Sequence, residues 1–245
     1  MELQIQCPGY TIAADWYDGA DPNKILIVLP GYGASKARQK AHAEAMVQDT
    51  GMCALVVDFS GHGDSPFELR DTRPAQHFLE LISVFDWLKQ KYPAATISVS
   101  GSSYGGFLAA HLTEYREFAN LVLRAPAIYK PNAFYDLWSS RIDNLETYNA
   151  QIHEYRNDAD ALAKHPLLGQ ASSFEGKVLV AIHENDEIVE RPTTDAYIKA
   201  FNADSFIAEG FPHVIDAAVR DPAKLQPYQY QIANWLNHTP DGRIN

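Results

Sequence analysis

The 245-residue chain is poor in cysteine, poor in methionine, short of basic residues and free of long apolar runs. Each shortage excludes something. Two cysteines, Cys7 and Cys53, cannot build a disulfide framework, and both lie in apolar, strand-like contexts, so buried reduced thiols are expected instead of a bridge. No segment approaches the ~20 apolar residues that cross a bilayer, so no membrane span is expected. The opening MELQIQCPGY has neither the basic nor the apolar region of a secretory signal, and a cytoplasmic location is expected. Lys and Arg number 20 against 31 Asp and Glu, for a net charge of -11. Phosphate binding needs basic patches, which this spread of charge does not offer, so no nucleic-acid partner is expected. CxxC and HExxH spacings are both missing, and neither a metal nor an organic cofactor is expected. Linker-like stretches and internal repeats are missing too, so residues 1–245 read as one domain.

What is present is a series of apolar, β-branched runs: KILIVLP (24–30), CALVVDF (53–59), TISVSG (96–101) and KVLVAIH (177–183), with shorter LVLRAP (121–126) and SFIAEG (205–210). Near-continuous apolar strands suit a parallel sheet covered on both faces. Helical stretches alternate with them. In RPAQHFLELISVFDWLKQKYP the residues Phe78, Leu81, Ile82, Phe85 and Leu88 recur at three- and four-residue steps, and Pro93 marks the stop. SKARQKAHAEAMVQDTG closes on Gly51 as a C-terminal cap would, and RPTTDAYIKAFNA and PAKLQPYQYQIANWLNH are further helices. The pattern predicts an α/β fold, mostly parallel, with helices on both faces and an antiparallel hairpin from LQIQCPGYTIAADWYDG at one edge. Residues 129–176 carry no strong strand but many aromatics and acids, and are expected to form a small helical cap insertion.

VSGSSYGG places three serines among glycines, and GxSxG is satisfied when Ser103 is central, between Gly101 and Gly105. An apolar strand precedes it and a helical stretch follows, the context in which a sharp turn lifts a serine above the sheet. A serine hydroxyl needs a base, and the base a carboxylate. Downstream, Asp186 follows an apolar strand in VLVAIHENDEIV, with Glu184 and Glu187 as neighbouring alternatives; the turn-forming Asn185-Asp186 pair favours the aspartate. His213 then follows the last strand candidate in FIAEGFPHVI, whereas His238 lies in a polar tail. The catalytic candidates are therefore Ser103, Asp186 and His213. An oxyanion hole would draw one backbone N–H from Tyr104, directly after the serine, and another from Tyr32 in LPGYGAS. In the 129–176 insertion, Tyr129, Phe134, Tyr135 and Trp138 are candidates for an apolar or aromatic substrate pocket.

With these motifs in this order the chain resembles the α/β-hydrolases over nearly its whole length. VVDFSGHGDS resembles their DxxGxGxS loop through Asp58, Gly61, Gly63 and Ser65; HENDEIV resembles the acid loop and GFPH the histidine loop. The layout resembles small capped members: carboxylesterases, feruloyl esterases, monoacylglycerol lipases and serine aminopeptidase-like enzymes. The chain departs from the usual pattern at Pro30-Gly31, where His-Gly is common, at Glu184, where glycine is common, and at Ser102, where histidine is common. The resemblance implies a serine hydrolase acting on a small-molecule carboxylic ester through an acyl-enzyme. A serine peptidase using acids such as Asp136, Asp143, Glu146 or Glu154, a thioesterase or acyltransferase, and a binding protein without catalysis are the alternatives. A homodimer is compatible with the sequence.

Overall fold

Strands that are apolar on both faces must be covered on both, and the arrangement of elements follows from that. The computed structural model describes residues 1–215 and 221–238; residues 216–220 and 239–245 of the expected single domain lie outside the described residues. The strands are β1 (Glu2–Cys7), β2 (Tyr10–Tyr17), β3 (Asp21–Leu29), β4 (Met52–Val57), β5 (Thr96–Ser102), β6 (Asn120–Arg124), β7 (Lys177–Asn185) and β8 (Asp204–Pro212). They form one sheet in the order β1-β2-β4-β3-β5-β6-β7-β8. β1 and β2 make the expected antiparallel hairpin, β2 joins β4 antiparallel, and every later pairing is parallel.

Alternation along each strand divides the core in two. Ile25, Ile27 and Leu29 of β3 join a layer with α2 (Pro74–Lys91), α3 (Tyr104–Leu112) and α8 (Arg191–Phe201). Leu26 and Val28 face the other way, onto Met46 of α1 (Lys36–Thr50) and Ile232 of α9 (Pro222–His238). The helix signals behave as their chemistry dictates. Gly51 adopts φ 74° and returns its N–H to Val47 O, ending α1. α2 starts on Pro74 and buries Phe78, Leu81, Phe85 and Leu88; Val84 completes this stripe, while Ile82 is half-buried at its margin.

Between β6 and β7 the chain is helical in short pieces: α4 (Trp138–Ile142), α5 (Leu145–Asn157), α6 (Ala159–Ala163) and α7 (Pro166–Gln170). Asp158 caps α6 through the N–H groups of Asp160 and Ala161, and His165 caps α7 through that of Leu167. Arg156 ties the segment down by donating to Ile128 O and Ile188 O. Cys7 and Cys53 are separate buried thiols. No helix among the described residues is long and apolar enough to cross a membrane.

The interior holds an unusual number of histidines. Burial drives the basicity of His42 and His77 far below the ordinary imidazole value, that of His183 down to about 4 and that of His111 down to about 3. Below about pH 6.5 the unfolded chain takes up protons that these folded sites refuse, so stability falls as pH falls. The slope is up to ~1.4 kcal/mol per pH unit for each such histidine. Urea unfolding midpoints are expected to drop steadily from pH 7.5 to pH 5; a flat midpoint over that range would contradict the burial of neutral imidazoles.

Candidate active site

The turn between β5 and α3 is where the backbone is most constrained. Ser103 sits at φ 50°, ψ -111°, a conformation that residues with a side chain rarely adopt. A Cβ on Gly101 would lie 2.3 Å from Gly105 O, so position 101 must be glycine for the turn to close. A Cβ on Gly105 would lie 2.6 Å from both Leu29 O and Pro30 O. That second glycine therefore lets α3 begin against the end of β3. Ser103 N–H donates to Arg124 O at 2.9 Å, and Ser103 O accepts from Ala127 N–H and Phe107 N–H, pinning the turn to the end of β6 and to α3.

Three sequence candidates meet at this point. Ser103 Oγ–H donates to His213 Nε2 at 2.8 Å, and His213 Nδ1–H donates to Asp186 Oδ2 at 2.7 Å. Asp186 Oδ1 in turn accepts from the N–H groups of Ile188 and Val189 at 2.9 and 2.8 Å. Burial alone would raise the Asp186 pKa. The hydrogen bond and charge of His213, with those two N–H groups, outweigh burial and hold it below the ordinary carboxylate value. Both side chains are under a tenth exposed. Of the alternatives, Glu184 is spent on Gly210 N–H at 2.8 Å and Glu187 is exposed. His238 bonds its own helix through Asn234 O. Ser100 pairs with His42 instead of entering the group, and Ser102 lines the adjoining cavity.

Two buried histidines, neither singled out by the sequence, hold the loops. His183 Nδ1–H donates to Pro212 O, the carbonyl just before His213, while its Nε2 accepts from Tyr228 OH at 3.2 Å. His62 Nε2 accepts the N–H of Gly33 at 3.1 Å, and its Nδ1–H points at Ser60 O at 3.1 Å. Burial keeps the His62 imidazole's pKa down, which suits a neutral acceptor. The loop it holds is the one expected to supply Tyr32. Gly31 lies against Ser103, so that a Cβ there would be 3.6 Å from Ser103 Cβ. Tyr32, the next residue, lines the same cavity as Ser103. Tyr104 opens α3, where a first-turn N–H has no acceptor inside the helix. The DxxGxGxS residues act as a brace. Asp58 accepts from the N–H groups of Lys36 and Asp64, fixing the start of α1, and Ser65 bridges Asp58 O to Ala13 N–H.

Three of the four aromatic candidates pack against other rings. Tyr129 and Trp138 are buried with the Tyr104 ring, which shares a hydrogen bond of 2.7 Å with His77. Phe134 packs on Phe78, Phe107 and His111, and Tyr135 points outward. The cavity of about 380 Å³ that opens on Ser103 and His213 runs the other way, between α1 and α9, past Gln39, His42, Arg124, Leu225 and Tyr228. None of Tyr129, Phe134, Tyr135 and Trp138, the residues expected to form a substrate pocket, lines this cavity: Tyr129 and Trp138 bury one another, Phe134 packs against its neighbours, and Tyr135 is exposed. Asp136, Asp143, Glu146 and Glu154 are all exposed, Asp143 paired with Arg70. Among the described residues no group of three or more His, Cys, Asp or Glu is placed to hold a metal ion.

A mostly parallel sheet with this strand order, a serine on a strained strand-to-helix turn, and an acid and a histidine on later strand ends define an α/β-hydrolase. The comparisons narrow this. The model of the serine aminopeptidase S33 family matches residues 20–214, and the chain belongs to that family. The esterase Pf2001 of Pyrococcus furiosus superposes with a TM-score of 0.70 at 20% identity, covering 96% of this chain and 91% of that one. An esterase of Pyrobaculum calidifontis gives 0.71 at 17% identity over 97% and 84%. An α/β serine hydrolase homologue from Coxiella burnetii gives 0.64 at 14% identity over 97% and 95%. Among curated proteins, the sn-1-specific diacylglycerol lipase ABHD11 of Xenopus tropicalis is 38% identical over 64 residues. That stretch is 26% of this chain and 20% of the relative.

His62 holds the Gly33 turn from behind and touches no reacting atom. His62→Ala is expected to lower kcat for an ester about tenfold with KM little changed, the size expected when one buried hydrogen bond that orders a catalytic loop is lost. Unaltered kcat in a folded His62→Ala protein would show that the turn holds its shape without it.

Proposed function

We propose that this protein is a serine hydrolase of carboxylic esters. The observation that carries the reading is the continuous chain from Ser103 Oγ through His213 to Asp186, with Gly31 against Ser103. In this reading Ser103 attacks the ester carbonyl while His213 Nε2 takes its proton. Asp186 keeps the proton of His213 on Nδ1, leaving Nε2 free as the base, and stabilises the imidazolium that forms. The N–H groups of Tyr32 and Tyr104 meet the developing oxyanion. His213 then protonates the departing alcohol, and water repeats the sequence on the acyl-enzyme.

The family's name includes aminopeptidases, and a peptidase would use the same three side chains. Recognition of a peptide's amino terminus calls for a carboxylate facing the cavity. The acids of the 129–176 segment are instead on the outer surface, and Glu44, at the cavity mouth, lies beside Lys40. This favours an ester over a peptide.

The test is a panel of 4-nitrophenyl esters of increasing acyl length, hydroxycinnamate esters and aminoacyl anilides, with wild-type protein and Ser103→Ala. Ester turnover is expected to fall by roughly 10⁴ to 10⁶ in the variant, the scale for loss of a triad nucleophile. Equal turnover in Ser103→Ala would remove Ser103 from the mechanism. Turnover of anilides without esters would establish the peptidase instead.

A further inference from the structure

The cavity beside Ser103 holds a cation in its wall that pairs with no carboxylate among the described residues. Arg124 ends β6, whose other residues are Asn120, Leu121, Val122 and Leu123. Strand alternation sends its side chain with Val122 toward α1 and α9, and Arg124 lines the cavity while being 3% exposed. One terminal guanidinium nitrogen donates to Gln39 Oε1 at 2.6 Å, and Nε has no hydrogen-bond partner. Among the described residues no Asp or Glu lies within ion-pair distance of it. Burial pulls its pKa down and Tyr228 pushes back, but a guanidinium stays charged at any ordinary pH.

The described titratable groups packed beside it are neutral. Tyr228 is pushed up to about 12 by burial and stays a neutral phenol. His42, whose Nδ1 is also buried without a partner, stays neutral. His183 is neutral as well. At the mouth, Arg38 and Lys40 outnumber Glu44. A basic cavity in a protein of net charge -11 is a local choice. A buried, uncompensated charge is costly to keep, and one that lines a cleft beside a nucleophile points to a charged ligand.

We propose that the substrate of this site carries a carboxylate, bound by Arg124 with Gln39 beside it while the ester carbonyl lies at Ser103. A planar guanidinium in the cavity wall suits a planar carboxylate, and inorganic phosphate is the competing anion in the test. The proposal rests on the ester-hydrolase reading and sharpens it into a substrate class.

Two ester pairs test it. 4-Nitrophenyl hydrogen glutarate against 4-nitrophenyl valerate puts the charge on the acyl side. The butyrate ester of 4-hydroxybenzoic acid against that of 4-hydroxybenzamide puts it on the alcohol side. Wild-type protein is expected to favour the carboxylate member of at least one pair at least tenfold in kcat/KM. Arg124→Gln should bring that ratio to about one, and Arg124→Lys should restore part of it. Should Arg124→Gln not fold, inhibition of valerate ester hydrolysis in the wild type decides the matter: glutarate should compete at least tenfold better than glutaramide or inorganic phosphate. The proposal is overturned by preference for neither carboxylate ester, by a preference that survives Arg124→Gln, or by phosphate competing better than glutarate. Should no ester be hydrolysed, the ester reading fails by itself. Calorimetric titration then tests the anion site separately: glutarate binding that Arg124→Gln abolishes sustains it, and no binding to the wild type overturns it.

Discussion

Everything at the reactive end of this molecule depends on one close approach of main chains. Gly101 meets the Gly105 carbonyl, Gly105 meets the end of β3, and Ser103 is forced to positive φ between them. The strain is held by packing on all sides: the Ser103 amide by β6, its carbonyl by α3 and Ala127, and the following Tyr104 ring by His77 and the aromatic cluster under the 129–176 segment. Such a turn cannot relax without moving three strands. The serine is therefore presented in one orientation to whatever occupies the cavity.

That dependence explains which parts were legible in the sequence. The strands announced themselves because a parallel sheet demands apolar residues on both faces, and the observed bounds differ from the apolar runs by a few residues at most, with β3 starting at Asp21 and β7 running on to Asn185. Ser103, Asp186 and His213 could be picked out because the turn's glycines and the strand ends are local features. The aromatic residues of 129–176 could not be assigned in the same way. Composition shows that rings are plentiful there, but whether a ring faces a ligand or another ring is a three-dimensional matter. Here Tyr129 and Trp138 meet Tyr104, and Phe134 meets Phe107. His62 and His183 escaped notice for a related reason: their partners, Gly33 N–H and Pro212 O, are backbone groups 29 residues away in each case, which no side-chain pattern records. Arg124 left a trace, a charge at the end of an apolar strand. Its meaning appears only with Gln39 and Tyr228 placed around it.

The two faces of the sheet have divided their labour. The α2–α3 side and the 129–176 segment form a dense aromatic layer, and the Tyr32 ring is gripped there between Trp138 at 4.4 Å and the Arg141 guanidinium at 4.1 Å. The α1–α9 side is polar near the serine and leaves room. Rigidity on one side and access on the other meet at residues 31 and 32, where Gly31 lies against Ser103 and the Tyr32 ring belongs to the packed layer.

Ser103, Asp186 and His213 directly follow the ends of β5, β7 and β8, strands that lie in the same parallel array. Their spacing is thus measured out by main-chain ladders, which any apolar sequence can form, while what lies between β6 and β7 is an excursion that returns to the same ladder. Over evolutionary time that excursion can be lengthened, shortened or rebuilt without recalibrating the distances among Ser103, His213 and Asp186. Conservation in this lineage should be sharpest at a handful of strand ends and loosest in the helices above them.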